Sequence, residues 1–254
     1  MVRLRLAVGL LAAAVFIALA APLAAWTGRF GASVVLHRWL CVVLRLHVRR
    51  YGAPALGPRL IVANHVSWLD VLALGAMEPM AFLAKREVGA NPWTRWLVDL
   101  QGMVYVDRAR WRGLPEVNAE MARRMAAGGP VTLFAEATTS DGTRLLRLRS
   151  SHFEAARQAQ ACVQPVYLDY RALGGLVATR SEKPLVAWYG DMTFLPSLRR
   201  VLACGGVACD VHYGAPIAHD PATDRKALAR RTELALRELK EGARAALPGG
   251  RVSR

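Results

Sequence analysis

Short apolar runs alternate with helical stretches through most of this 254-residue chain, and that alternation leaves few architectures open. Leu60–Ala63, Ala81–Lys85, Met103–Asp107, Val131–Glu136, Val163–Leu168, Leu185–Tyr189 and Val207–Tyr213 read as strands, each bounded by polar residues, Gly or Pro. Between them, Ser67–Met77, Trp93–Leu100, Leu114–Ala127 and Ser151–Gln160 read as helices. Such alternation predicts an α/β fold, a mixed sheet of about seven strands flanked by helices. A last helix is expected from Asp220–Pro221, an N-cap with Pro at the first helical position, to about Leu247. Residues 248–254 are expected to be a flexible tail.

The N-terminus departs from this pattern. From Leu6 to Gly28 there are 23 residues without a charge. As a helix they would span roughly 35 Å, enough for a hydrocarbon core. Trp26 stands where an interfacial aromatic anchor belongs, and Pro22 is a possible kink. Phe30–Val48 is apolar but carries His37, Arg38, Arg45 and His47, which reads as an interfacial amphipathic helix leading into a first strand. Residues 1–48 are therefore expected to anchor the chain in a membrane, as a span or as a shallow hairpin. A cleaved signal peptide and an ordinary core helix are the plainer alternatives. Residues 49–247 are expected to form the α/β domain.

Charge supports a membrane location. The chain has 34 Lys and Arg against 19 Asp and Glu, a net charge of +15. Seven Arg precede residue 51, while the first acid is Asp70. The positive-inside bias predicts that residues 49–247 lie on the cytoplasmic face of the inner membrane. Nucleic acid is not an expected partner, because no groove-reading motif accompanies the basic charge. The four Cys show neither a C-x-x-C pair nor zinc spacing, and no metal site is expected.

Chemistry concentrates after the first buried run. Leu60–Ala63 leads into Asn64-His65, and α/β proteins place active sites at such strand ends. Asp70 follows five residues later. On one regular helix five positions turn by about 140°, so the two would not share a face. With His65 on the turn before the helix and Asp70 in its first turn, they can meet. The carboxylate then holds one imidazole nitrogen and leaves the other to take a proton from a hydroxyl. Ser67 reads as a cap of that helix. It lacks the Gly-x-Ser-x-Gly elbow of a serine nucleophile.

Four blocks together resemble a known family. Asn64-His65-x-Ser67-x-x-Asp70 resembles the first motif of the glycerolipid acyltransferases, the group containing 1-acyl-glycerol-3-phosphate acyltransferase. Phe82–Glu87 with Val104–Arg108 resembles the second, Leu133–Gly142 the third and Val163–Val166 the fourth. The resemblance runs from about Leu44 to Ile217. It implies transfer of a fatty acyl group from a thioester to the free hydroxyl of a lysolipid. His65 would be the general base and Asp70 its orienting partner. Asn64, Ser67, Lys85, Arg108, Glu136, Thr138 and Thr139 would line the substrate site, with Arg108 on the acceptor phosphate. The donor would be acyl-acyl-carrier-protein or acyl-CoA, a co-substrate, so no bound cofactor is implied.

The third block departs from the family pattern. Ala135 stands where the family usually has Pro, and Ala137 where it has Gly. If that position needs a positive φ, Ala costs roughly 1 kcal/mol there. Thr139 occupies the place of the usual phosphate-binding Arg, with Arg144, Arg147 and Arg149 as candidate substitutes. The first expected acceptor is 1-acyl-glycerol-3-phosphate, giving phosphatidic acid. The alternatives are the same chemistry on lyso-ornithine lipid, which the Thr-Thr-Ser-Asp-Gly form resembles, and a catalytically impaired lipid-binding relative.

Overall fold

The computed structural model describes residues 33–85, 104–106 and 114–245, with single positions at 8, 9, 11, 15 and 31. Eight strands form one mixed sheet among the described residues: β1 (Leu46–Tyr51), β2 (Arg59–Ala63), β3 (Ala81–Lys85), β4 (Val104–Val106), β5 (Val131–Leu133), β6 (Cys162–Leu173), β7 (Leu176–Val177) and β8 (Val207–Tyr213). Seven run in the order β1-β8-β6-β2-β5-β3-β4, and β7 pairs with the end of β6. The helices are α1 (33–44), α2 (Leu69–Gly75), α3 (Leu114–Ala126), α4 (Phe153–Gln158), α5 (Phe194–Ala203) and α6 (Arg225–Ala245).

β2 is the centre of the site's scaffold. It pairs in parallel with β5 on one side and β6 on the other. All five of its residues are buried, as expected of a parallel strand covered on both faces. Ile61 and Ala63 face a core completed by α2 and Cys41 of α1. Leu60 and Val62 face a second core built with α3, α4 and α6. Two apolar layers therefore fix β2 from both sides, and its carboxyl end presents residue 65 at one edge of the sheet.

Several expectations are corrected. Leu185–Tyr189 forms no strand: Lys183–Leu185 is a 3-10 turn with Pro184 in its first turn, and Trp188 spends its N–H on Val66 O at 2.9 Å. Pro cannot donate to a ladder, so the apolar run packs as a loop instead, with Val186 and Ala187 fully buried. The strand expected over Val131–Glu136 stops at Leu133, where the chain turns back. The C-terminal helix starts at Arg225, not Asp220. Asp224 accepts the Ala227 N–H at 2.7 Å in the manner of an N-cap, while Asp220 closes the preceding turn through Ala222 and Thr223.

The apolar stretch before the sheet does form a helix followed by a strand. Arg45, at φ 53°, makes the break between α1 and β1. β1 pairs in parallel with β8 over its whole length, so a boundary at residue 48 falls inside it. Among the described residues no helix is long and apolar enough to cross a membrane. Most of the Leu6–Gly28 run lies outside the described residues, as does the helix expected over Trp93–Leu100. Positions 8, 9, 11 and 15 are helical, and a Cβ on Gly9 would lie 3.1 Å from Val43 of α1.

Candidate active site

The loop from Asn64 to Asp70 is folded around one carboxylate oxygen. Asp70 Oδ2 accepts the backbone N–H groups of Val66 at 2.7 Å and Ser67 at 2.9 Å, and faces His65 Nδ1 at 2.7 Å. The H-x4-D spacing works because the chain turns over Ser67–Asp70 into the helix, with the Asp70 N–H returning to Ser67 O at 3.1 Å. A carboxylate cannot donate, so Nδ1 carries the proton toward Asp70 and Nε2 keeps its lone pair. The Asp70 side chain is wholly buried, whereas that of His65 is 22% exposed. The open nitrogen is therefore the one that solvent or substrate can reach.

Two further contacts fix the imidazole. Phe134 stacks on it with centroids 4.0 Å apart and planes 13° from parallel, and Phe82 continues the stack behind Phe134. On β6, Tyr170 donates its phenol O–H to Asp70 Oδ1 at 2.5 Å. Tyr170 is fully buried; burial first, then the Asp70 charge, push its pKa well above the ordinary value.

The third block clamps the backbone of His65. Glu136 accepts the His65 N–H at 3.3 Å and the Leu146 N–H at 3.1 Å, one on each oxygen. Ser140 donates its N–H to His65 O at 2.8 Å. The turn that makes this possible runs through Phe134–Ala137, closed by the Ala137 N–H on Phe134 O at 3.1 Å. Burial pushes the Glu136 pKa up to about 7, against the two backbone donors that pull it down. Ala137 has φ 59°, the left-handed conformation in which the family's usual Gly is free of strain.

The remaining expected site residues are distributed unevenly. Asn64 is buried and points into the sheet, exchanging hydrogen bonds with Leu168 at 3.1 and 2.8 Å, so it extends the β2–β6 pairing by one rung. Ser67 is fully buried, and its Oγ has no partner among the described residues; the helix it was expected to cap has Trp68 at its N-cap and no side-chain cap. Thr138 is exposed and Thr139 half-buried beside the clamp. Arg108 and the side chain of Lys85 lie outside the described residues. Arg144, Arg147 and Arg149 are exposed.

Two cations that the sequence did not suggest flank the 140–146 loop. Lys240 of α6 donates to Thr143 O at 3.0 Å, and burial with nearby Arg244 and Lys183 pulls its pKa down to about 8. Lys183 pairs with Asp169 at 2.6 Å, and its Cβ would stand 3.7 Å from a Cβ on Gly142. Neither lies in a motif, and each comes from the C-terminal half of the chain. Tyr170 had a weak signal: it continues the period-two face of Val166 and Leu168 on β6.

Comparison with known proteins places this geometry. The family profile described as Acyltransferase matches residues 45–169. The chain is 37% identical over 215 residues to the lyso-ornithine lipid O-acyltransferase of Brucella abortus, covering 82% of this chain and 80% of that protein. It is 30% identical over 178 residues to the 1-acyl-sn-glycerol-3-phosphate acyltransferase of Neisseria gonorrhoeae, covering 70% and 68%. The crystal structure of the 1-acyl-sn-glycerophosphate acyltransferase PlsC from Thermotoga maritima shares the fold, with a TM-score of 0.62 over 89% of this chain and 81% of that one, at 17% identity.

Proposed function

The chain belongs to the acyltransferase family, and from that premise we propose that it moves a fatty acyl group from a thioester to the free hydroxyl of a lysolipid, with His65 as general base. The observation that carries this reading is the protonated Nδ1 of His65 on buried Asp70, with Nε2 left open at the carboxyl end of β2. Nε2 takes the proton of the acceptor hydroxyl as its oxygen attacks the thioester carbonyl. The C–O bond forms, the C–S bond breaks, and the thiolate leaves with the proton held by His65. Asp70 stabilises the imidazolium while it exists, without becoming protonated. Developing charge on the carbonyl oxygen is stabilised by backbone N–H donors.

Glu136 is not the base in this scheme, because both its oxygens are spent on backbone N–H groups. It shapes the acceptor site instead. The left-handed Ala137 supports catalytic competence over an impaired, binding-only role: the turn keeps its geometry at a local cost of roughly 1 kcal/mol.

We read the acceptor as a phosphate-free lysolipid of the lyso-ornithine type. Thr139 in place of an Arg supports this, and so does the likeness to the Brucella protein. A 1-acyl-glycerol-3-phosphate acceptor is the second reading, favoured by Arg108 and by Lys183 and Lys240 beside the loop. The acid-free N-terminus, with its long uncharged run, would hold the enzyme at the cytoplasmic face of the membrane, where both acyl chains reside.

The test is an acceptor panel with purified protein. Lyso-ornithine lipid and lysophosphatidic acid are each offered with acyl-acyl-carrier-protein and acyl-CoA, with His65→Ala as control. Turnover of lyso-ornithine lipid above lysophosphatidic acid, lost in the control, is expected. Equal background rates for both proteins would refute the enzyme reading, and the reverse preference would refute the acceptor assignment.

A further inference from the structure

We propose that Tyr170 is a positioning residue of the catalytic pair: its phenol holds Asp70 in place and, through Asp70, sets how tightly His65 keeps a proton. This rests on His65 being the general base.

Asp70 accepts four hydrogen bonds, and they divide unequally. Three converge on Oδ2, from the Val66 and Ser67 N–H groups and from His65 Nδ1. Oδ1 has the Tyr170 phenol as its partner, at 2.5 Å. Three donors on one oxygen cannot stop the carboxylate from rocking about its own axis. A donor on the second oxygen, delivered from a different element, does. β6 is the right platform: it pairs directly with β2, and Tyr170 is locked in the core with Leu168 and Val211 on its face of the sheet.

The phenol also acts on charge. A hydrogen bond to the second oxygen draws negative charge from the first, so Asp70 holds the imidazolium less tightly than a bare buried carboxylate would. A base that binds its proton too firmly releases it slowly to the leaving thiolate. Tyr170 stays neutral across the working range, because its burial disfavours the phenolate. The other titratable groups around the pair are Cys209 of β8 and Glu136 of the third block, which face Asp70, and Cys41 of α1, which faces Tyr170 and Cys209. Burial keeps both thiols protonated and pushes the Glu136 pKa up to about 7.

Tyr170→Phe removes the hydroxyl and leaves the ring to fill its place. It is expected to lower kcat about tenfold, the low end for losing a hydrogen bond to a charged group, with acceptor KM changed by less than about twofold. Following the His65 imidazole by NMR separates its titration from that of Glu136. The His65 midpoint is expected to rise in Tyr170→Phe, and the acid limb of kcat/KM to move up with it. Replacing Tyr170 by a fluorinated, more acidic tyrosine strengthens the donor and should move both in the opposite direction. A merely structural tyrosine would lower the unfolding temperature and leave the His65 midpoint where it was. That result, or shifts of the same sign for both replacements, would overturn the proposal. Should His65→Ala retain full activity, the general-base reading itself fails, whatever Tyr170→Phe does.

Discussion

Two buried acids hold His65, one at its ring and one at its backbone, and they are held differently. Asp70 meets the ring itself, together with a phenol and two backbone N–H groups. Among the described residues Glu136 meets backbone N–H groups, those of His65 and Leu146. Asp70 has a partner that becomes a cation during the proposed reaction, so its charge is used at the moment of proton transfer. Glu136 has no such partner on its oxygens, and burial pushes its pKa up to about 7. Equal burial thus produces two roles, one acid that answers a moving proton and one that fixes the chain carrying it.

The sharpest way to break this comparison is Asp70→Asn. An amide in place of the carboxylate can present its NH2 group to Nδ1, which favours the tautomer with the proton on Nε2. The expected loss in kcat is on the order of a thousandfold or more, measured by acyl transfer at saturating acceptor. Glu136→Gln should cost far less, about tenfold, since the side chain keeps one good acceptor for the backbone.

Glu136 can also be tested through stability. Its pKa is raised on folding, from the ordinary 4.5 to about 7, so the folded state binds the proton more tightly than the unfolded chain. Stability from this group is therefore fully present below 4.5 and lost as pH rises toward 7. Comparing denaturant unfolding of the wild type with Glu136→Gln over that window isolates the effect. The difference should change by no more than about 3 kcal/mol, with the wild type losing ground as pH rises.

Two smaller changes sharpen the account of the third block. Thr139→Arg restores a cation beside the clamp and should shift the preference for lysophosphatidic acid over lyso-ornithine lipid by about tenfold, as expected of one charge-assisted contact. Ala137→Gly relieves the left-handed strain but frees the unfolded chain. The net gain should be at most about 1 kcal/mol, seen as a rise of a few degrees in unfolding temperature. A fall would mean that the turn does not hold Ala137 at positive φ.

Much of this was legible in the sequence, for reasons that differ along the chain. β2, β3 and β8 were readable because fully or half-buried strands leave local apolar runs. The pairing of His65 with Asp70 was readable because both lie in one loop. Tyr170, Lys183 and Lys240 carried little or no signal, because sheet pairing and packing bring them to their partners Asp70, Gly142 and Thr143 from 100, 41 and 97 residues away. Leu185–Tyr189 misled because an apolar run records burial, and a loop with Val186 and Ala187 fully covered is buried too. The left-handed φ at residue 137 was foreseeable only as a cost, since an Ala does not announce the conformation that a Gly would.

The measurement that bears most directly on the general-base assignment is a single-turnover comparison of His65→Ala with the wild type, using a preloaded acyl thioester and a lysolipid acceptor. The account predicts a rate loss of roughly 10²- to 10⁴-fold with thermal unfolding unchanged within a few degrees. A variant that folds normally and transfers the acyl group at the wild-type rate would contradict it.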